Sequence, residues 1–564
     1  MRSRSFNSLL LPLFLAGGLV ACANDGGTSD NGSGGSGAGT GGSGGSTGTG
    51  GSPSTGGTTG MGGAKATGGT LGAGGLTGTG GVAGKNGTGG TTAMGGTTGA
   101  GGTVGAAGTS GTVGSGGSAG GTSGTGGIGG MGAAGHGGNS GSAGTTGVGG
   151  TGGSTPGTGG TSGGGGTGTA GSGGLTSSVE DDGTDCTIGT VPSIGTQTTL
   201  LPDPFKKLDG TEMTMKSEWR CRREEIRKTA EKNALGTKPP KPMTVTGTVT
   251  STKITVNVTD GGKSSSFSVT VSLPTSGKAP YPAIIEYTGV PLDMATINSE
   301  GVAMINYNPY DVGAEGHGHG TNQSGAFYSI YSGGSGNTGL LAAWAWGTSR
   351  IIDVIAQSDG SILDANAIAV TGCSRFGKGS FIAGVLDQRI ALTMPIESGT
   401  DGVPIWRGIA KAEKGANGNP PQSMSSAYSE QPWYADASMG MDGDPTKAPL
   451  DTHELVAMVA PRGLFIMENP WIGELASKYG HVAALGGLEV YKALGYGDNL
   501  TYYSDIPTTE GGHCSARPEW VTPLKNNIER FLKKTGTAPG VIKASSMQTG
   551  DLSTWRSWTT PTLN

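Results

Sequence analysis

The chain has few charged and few aromatic residues for its length. Only 14% of its 564 residues are charged and 5% are aromatic, whereas glycine alone contributes 118 residues. The 36 Lys and Arg residues nearly balance the 41 Asp and Glu residues, which leaves a net charge of −5. No basic stripe is present, so the composition argues against a nucleic-acid-binding protein.

Long apolar runs are also missing. The run from Leu9 to Val20 follows two arginines and is too short to span a bilayer. This pattern is typical of a signal peptide, here over residues 1–21. The stretch Leu19-Val20-Ala21-Cys22 resembles a bacterial lipoprotein box, so we predict that Cys22 is lipidated and anchors the chain in a membrane. A secretory signal followed by an incidental cysteine is the alternative.

Charged and aromatic side chains almost vanish from the segment after the signal peptide, where glycine, serine and threonine dominate. Such a segment buries too little apolar surface to offset the entropy of ordering it. We therefore predict a disordered tether over residues 22–178, with a root-mean-square span of about 60–75 Å. A structured glycine-rich sheet is the alternative. All nine tryptophans follow this segment, which indicates one folded domain over residues 179–564.

The folded part opens with alternating apolar and polar residues over 243–258 and 264–273, on either side of Asp260-Gly261-Gly262. This predicts a β-hairpin. Further strands are predicted at 281–287, 301–307, 367–371, 390–395, 463–467 and 500–504, and helices at 340–355 and 523–534. An antiparallel start followed by alternating strands and helices predicts an α/β fold, with a doubly wound, mostly parallel sheet and helices on both faces. The α/β-hydrolase fold has this plan, and its triad follows the chain order serine, acid, histidine.

One stretch, Ala367-Ile-Ala-Val-Thr-Gly-Cys-Ser-Arg-Phe-Gly-Lys378, reads as a strand, a sharp turn and a helix with Ser374 at the apex. This geometry lifts the serine hydroxyl off the sheet and aims helical N–H groups at developing negative charge. The usual elbow reads G-x-S-x-G, whereas the second glycine here is Gly377, one residue later. An ordinary strand-to-helix turn with a capping serine is the alternative.

A carboxylate and a histidine follow the serine in the order that this fold requires. Glu397 comes after the strand at 390–395, and His513 lies in a glycine-rich loop after the last strand. We predict that His513 is the catalytic base and that Glu397 orients it. Asp401 and Glu468 are the competing carboxylates, since one lies in the same loop as Glu397 and the other follows the strand at 463–467.

The remaining histidines predict no metal site. His317 and His319 form a His-x-His pair, but no further clustered ligand accompanies them, so a flexible loop is favoured. His453 opens a helical segment and is interpreted as a capping or packing residue, and His481 lies in an apolar helix.

Cysteine is scarce, and its positions are informative. With Cys22 assigned to lipid, four of the five cysteines remain in an exported domain, and an even number outside the cytosol favours two disulfides. Those four are Cys186, Cys221, Cys373 and Cys514. Three pairings are possible. If the elbow serine and the loop histidine meet, the last two cysteines adjoin them and pair, which leaves the first two as partners. A zinc site of four thiolates is the alternative, but the wide spacings argue against it.

Over residues 186–534 the chain resembles the glucuronoyl esterases, carbohydrate esterase family 15. The most specific shared motif is Gly372-Cys-Ser-Arg-Phe-Gly-Lys378, and supporting stretches lie at 343–350, 395–399, 453–462 and 512–514. The resemblance implies the triad Ser374, Glu397 and His513, and an Arg375 that stabilises the oxyanion. It implies four residues that contact the sugar: Lys378, Gln422, Glu430 and Trp471.

The resemblance also implies an activity. We expect a serine esterase, without cofactor or metal, that hydrolyses esters of 4-O-methyl-D-glucuronic acid in glucuronoxylan, such as those to lignin alcohols. With the predicted anchor, it would be an exported monomer at the bacterial cell surface or outer membrane, or released from it. Another carbohydrate esterase, such as an acetyl or feruloyl xylan esterase, is the alternative within this fold. A non-catalytic surface protein that binds polysaccharide is the alternative of a different class.

Overall fold

The computed structural model describes residues 81–82, 85–86, 176–195, 197–507, 512–537 and 539–564. The signal peptide, Cys22 and nearly all of the predicted tether lie outside these residues, and the interpretations given for them stay predictions. The chain divides into two units, Met1–Gly157 and Thr158–Asn564. In the first unit, Gly81–Val82 pairs antiparallel with Lys85–Asn86. No helix among the described residues has the length and apolarity that crossing a bilayer requires.

The second unit is built on a ten-stranded sheet. Its strands are β1 (Thr244–Val249), β2 (Lys253–Asp260), β3 (Lys263–Ser272), β4 (Tyr281–Tyr287), β5 (Ala303–Tyr307), β6 (Leu363–Cys373), β7 (Leu392–Ile396), β8 (Gly463–Met467), β9 (Leu500–Tyr503) and β10 (Ile542–Lys543). Their order in space is β10-β9-β8-β7-β6-β4-β5-β3-β2-β1. Strands β1, β2, β3 and β5 pair antiparallel in that succession. Every other neighbouring pair is parallel, which confirms the predicted, mostly parallel sheet with an antiparallel start.

Helices cover both faces of this sheet. They are α1 (Trp219–Ala230), α2 (Met294–Ser299), α3 (Ala326–Ile330), α4 (Gly334–Asn337), α5 (Leu340–Gln357), α6 (Arg375–Leu386), α7 (Trp406–Ile409), α8 (Met424–Glu430), α9 (Thr452–Met458), α10 (Ser477–Leu494) and α11 (Pro518–Asn527). Side chains of a strand alternate between the faces, so Ile284 and Ile285 of β4 belong to two different apolar clusters. One cluster includes residues of α5, α6, α9 and α10, and the other includes residues of α2 and α11. The sheet therefore lies between two helical layers.

Two predicted elements differ from the structure in division or starting point, and β6 begins four positions before its predicted start at 367. Residues 243–258 form two strands rather than one, because Thr250 turns the chain: its N–H and its hydroxyl both donate to the carbonyl of Lys253. The β-branched threonines around this turn made the segment look continuous. The last helix begins at Pro518, not at Pro523, which lies inside it. A proline is well tolerated in the first turn of a helix, and here the earlier of the two prolines takes that place.

The predicted elbow is present between β6 and α6. Ser374 has φ 61° and ψ −127°, a strained conformation for a residue other than glycine. Its backbone N–H donates to the carbonyl of Ile396 at 3.0 Å. A Cβ atom on Gly377 would lie 2.5 Å from the same oxygen, which explains why a glycine stands there. The elbow is thus pressed against the end of β7.

Candidate active site

The candidate residues lie at the carboxyl ends of neighbouring parallel strands. Strands β6, β7, β8 and β9 are adjacent and parallel, so the loops after them meet at one edge of the sheet. Ser374 follows β6, Glu397 follows β7 and Glu468 follows β8. His513 lies between β9 and α11. Such an edge is where open α/β sheets bind their ligands.

Glu397 and His513 are joined directly. The Oε2 atom of Glu397 lies 2.7 Å from Nδ1 of His513 and accepts a hydrogen bond from the N–H of Cys514 at 2.8 Å. The glutamate is fully buried, while the imidazole is 40% exposed. The acid therefore occupies the Nδ1 edge of the ring and leaves the Nε2 edge for proton exchange with a nucleophile.

Both predicted disulfides are present. Cys373 is bonded to Cys514 with a Cα–Cα distance of 5.8 Å, and Cys186 is bonded to Cys221 with a distance of 5.5 Å. The first bond connects the residue before Ser374 to the residue after His513. The donor atoms of Cys373, Glu397, His513 and Cys514 cluster within 4.8 Å of one another. Because both sulfurs are used by the disulfide, this cluster offers no thiolate for a metal.

Three further predicted residues form one chain of hydrogen bonds. The guanidinium of Arg375 donates to Oε1 of Glu430 at 3.0 Å, and Nε2 of Gln422 donates to Oε2 of Glu430 at 2.8 Å. A second guanidinium nitrogen donates to Oε2 of Glu315 at 2.7 Å. Burial lowers the pKa of Arg375, but the charges of Glu315 and Glu430 outweigh this effect and raise the pKa above its ordinary value.

The side chain of Lys378 lies deeper in the protein than a residue that contacts a ligand at the surface. Its side chain is buried, and its ammonium group donates to the carbonyl oxygens of Ser398 at 2.7 Å and Thr400 at 2.6 Å. It also lies 4.8 Å from the centre of the Trp433 ring. Burial lowers the pKa of Lys378 to about 8, against the opposing charge of Asp401. Since an ammonium group has three donors, two are committed to the loop after Glu397.

The two competing carboxylates have different surroundings. Asp401 is buried, and burial raises its pKa to about 7 while Lys378 opposes the rise. Glu468 is fully buried, and neither carboxyl oxygen has a hydrogen-bond partner among the described residues. Burial raises the pKa of Glu468 well above its ordinary value, and the charge of Glu397 adds to the rise. Both effects favour the uncharged carboxyl group, which disfavours Glu468 as the partner of a cationic histidine.

Trp471 lies half-buried against the apolar cluster that contains Cys373, and its indole N–H donates to the carbonyl of Ile506 at 3.0 Å. The backbone N–H of Gln422 donates to the carbonyl of Glu474 at 3.3 Å, three positions beyond this tryptophan. The segments that carry two of the predicted sugar contacts are therefore linked.

The sequence interpretation missed Glu315. It lies in Gly313-Ala-Glu-Gly-His-Gly-His-Gly320, which follows β5, and the His-x-His pair is the more conspicuous pattern in that loop. His319 Nδ1 lies 2.6 Å from Asp436, and the ring stacks on Tyr428 with centres 3.6 Å apart. Position at the end of a parallel strand was the signal that could have identified this loop.

The other two histidines lie buried within the folded domain. His453 is fully buried with Nε2 2.9 Å from the carbonyl oxygen of Pro202, and burial lowers its pKa to about 4. His481 is also buried and accepts a hydrogen bond from the N–H of Gly550.

Comparisons with known proteins agree with this geometry. A family described as "Glucuronyl esterase, fungi" matches residues 256–495. The 4-O-methyl-glucuronoyl methylesterase of Neurospora crassa is 37% identical over 367 residues, which cover 64% of this chain and 89% of that protein. The chain belongs to the glucuronoyl esterase family.

Solved glucuronoyl esterases share the architecture. The catalytic domain from Hypocrea jecorina is 34% identical, with a TM-score of 0.60 over 67% of this chain and 99% of that one. The same identity and TM-score hold for a serine-to-alanine variant from Sporotrichum thermophile in complex with methyl 4-O-methyl-β-D-glucopyranuronate, with 67% and 100% covered. Together with the sheet described above, these likenesses confirm the α/β-hydrolase fold.

The disulfide between Cys373 and Cys514 should matter more for turnover than for stability. It closes a loop of 141 positions, and the other bond closes one of 35. Loop entropy alone gives costs of about 5 and about 4 kcal/mol for their removal. Replacing Cys373 and Cys514 by alanine should lower kcat per folded molecule at least about tenfold, because this bond positions Ser374 and His513.

The matched control is the alanine pair at Cys186 and Cys221, which should unfold at a similarly lowered denaturant concentration yet keep kcat. Equal losses of kcat in both variants would contradict a positioning role for the first bond. Peptide mapping that pairs Cys373 with another cysteine would contradict the assignment itself.

The choice between Glu397 and Glu468 can be tested by substitution. Glu397→Ala should lower kcat roughly 10²- to 10⁴-fold, the range expected when a histidine loses its orienting acid, with KM little changed. Glu468→Gln replaces the carboxyl group by an amide of similar shape and should leave kcat within about threefold. Near-normal turnover in Glu397→Ala, with loss of turnover in Glu468→Gln, would move the acid role to Glu468.

Proposed function

We propose that this chain is a serine esterase that hydrolyses esters of 4-O-methyl-D-glucuronic acid in glucuronoxylan, including those to lignin alcohols. The observation that carries the proposal is the bond between buried Glu397 and His513, on a loop that a disulfide ties to the elbow of Ser374. Membership of the glucuronoyl esterase family supports the substrate class. A relative bound to methyl 4-O-methyl-β-D-glucopyranuronate supports the uronate part in particular.

In the proposed mechanism, Ser374 Oγ attacks the ester carbonyl while His513 Nε2 takes its proton. The imidazolium that forms is stabilised by the Glu397 carboxylate at Nδ1. Collapse of the tetrahedral intermediate expels the alcohol, which takes the proton from His513 and leaves the uronoyl group esterified to Ser374. Water then attacks this acyl-enzyme, with His513 again as the base, and releases the free uronic acid.

The oxyanion would be stabilised at the start of α6. The N–H of Arg375 follows the elbow directly, and the end of the helix adds a partial positive charge. The Arg375 guanidinium supplies a full charge that is already oriented by two carboxylates. One such donor typically contributes about 3–4 kcal/mol to transition-state stabilisation.

The sugar would lie over Gln422, Glu430, Lys378 and Trp471. Gln422 and Glu430 are partly exposed and can exchange their mutual hydrogen bond for bonds to hydroxyl groups. Lys378 keeps one donor beyond the two that hold the Glu397 loop. Trp471 offers an apolar ring for a sugar face.

The sequence supports a location for this activity. We include in the proposal that the enzyme is an exported monomer and that lipid on Cys22 holds it at a bacterial cell surface through the glycine-rich tether. The lipoprotein box and the composition of residues 22–178 are the grounds for it. A long tether would let a surface-bound enzyme reach an insoluble polymer.

The activity test compares two substrates. The purified chain should release free acid from methyl 4-O-methyl-glucuronate and should act far more slowly on acetylated or feruloylated xylan. Ser374→Ala should lower kcat by about 10⁴-fold or more, because no other group takes the role of the nucleophile. Preference for acetylated or feruloylated xylan would make the chain a different carbohydrate esterase. Binding of glucuronoxylan without any turnover would remove the enzymatic assignment.

The anchor is tested separately by Cys22→Ser. In a bacterial host that processes lipoproteins, the unaltered chain should be found in the membrane fraction with lipid on Cys22. The variant should lose the lipid while its folded domain keeps the same kcat. A mature N-terminus at another residue, with no lipid attached, would contradict the anchor and leave the esterase assignment intact.

A further inference from the structure

Glu315 is a buried carboxylate whose two oxygens are both engaged. Its Oε1 atom accepts a hydrogen bond from the indole N–H of Trp433 at 2.6 Å. Its Oε2 atom accepts one from the hydroxyl of Tyr310 at 2.9 Å and one from the Arg375 guanidinium at 2.7 Å. Only 10% of the side chain is exposed. With three donors from three separate elements, this carboxylate has one defined position.

The second carboxylate on Arg375 is held differently. Glu430 is 36% exposed, and its other oxygen is shared with Gln422. Both residues belong to the proposed sugar surface, so a bound sugar competes for the groups that support Arg375 on that side. Glu315 is not among the residues of that surface, so we expect its bonds to persist when the sugar binds.

The orientation of a guanidinium matters because it is planar and its donors point in fixed directions. Two hydrogen bonds from different nitrogens, to Glu315 and to Glu430, fix its plane and rotation. The group also lies 5.5 Å from the centre of the Trp433 ring, which Glu315 itself holds. Donors that are oriented before the reaction stabilise developing charge without a reorganisation cost at the moment of reaction.

We propose that Glu315 is a positioning residue of the esterase: it holds the Arg375 guanidinium beside Ser374 in the orientation that meets the oxyanion. The proposal rests on the oxyanion role of Arg375 in the proposed function. Glu315 acts through Arg375 and does not itself touch the substrate. A purely structural role, in which the carboxylate only packs the loop that carries His317 and His319, makes different predictions.

A double-mutant cycle separates the two roles. Glu315→Gln keeps the shape of the side chain but removes the charge that orients Arg375. It should lower kcat on methyl 4-O-methyl-glucuronate about 10- to 100-fold, the range of one charge-assisted hydrogen bond, with KM within about threefold. In an Arg375→Ala background, Glu315→Gln should lower kcat by less than about twofold further, because the group on which it acts is gone.

His317→Ala is the matched control. It lies two residues away on the same loop, is exposed, and its Nε2 atom lies 3.1 Å from the hydroxyl of Ser324. It should leave kcat and the denaturation midpoint unchanged, and thereby shows whether disturbing this loop is enough to slow the enzyme.

The outcomes separate this inference from the function on which it rests. Additive losses of kcat from Glu315→Gln and Arg375→Ala, or a His317→Ala variant as slow as Glu315→Gln, would overturn the positioning role. A normal kcat in Glu315→Gln with a lowered kcat in Arg375→Ala would overturn it as well and leave the oxyanion role in place. A normal kcat in Arg375→Ala would instead remove the oxyanion assignment, and an active Ser374→Ala would remove the proposed mechanism.

Discussion

The buried carboxylate of Glu397 is the contact that joins the parts of the site. Its backbone has φ 46° and turns the chain at the end of β7, where its N–H donates to the carbonyl of Met467 at 2.7 Å. Its Oε2 atom accepts from the N–H of Cys514 and lies against His513. This one residue therefore ties β7 to β8 through its backbone N–H and to the histidine loop through its side chain. The disulfide from Cys373 adds a covalent connection between that loop and the elbow.

The first turn of α6 adds two charged residues to this arrangement, directly after Ser374. Arg375 and Lys378 are three residues apart, so they are near neighbours on the helix, but they serve different partners. Arg375 is held by carboxylates, whereas Lys378 donates to carbonyl oxygens of the loop that follows Glu397. The buried ammonium group of Lys378 thereby supports the backbone from which the acid projects. The site is organised by charges that are already paired before any substrate enters.

Features set by residues that are close together in the sequence, or by the residue order of a known fold, could be predicted from the sequence. The elbow and the strands beside it are local patterns, and the chain order of Ser374, Glu397 and His513 is that of a known fold. The pairing of Cys373 with Cys514 then followed from their places beside two residues expected to meet. The bond of Glu315 to Arg375 spans 60 positions and joins a loop to the first turn of α6, so no local pattern indicated it. The burial of Lys378 depends on its bond to a loop 20 positions away, so no local pattern indicated it, and its sugar contact stays a prediction.

Covalent labelling of the nucleophile tests the central claim most directly, namely that the elbow, the acid and the disulfide-tied histidine loop together activate Ser374. The folded chain would be treated with a serine-directed fluorophosphonate and mapped by mass spectrometry of its peptides. We predict one adduct per chain, on Ser374, formed at a rate that Glu397→Ala lowers strongly. An adduct on another residue, or continued ester hydrolysis with Ser374 unlabelled after complete reaction, would contradict the account.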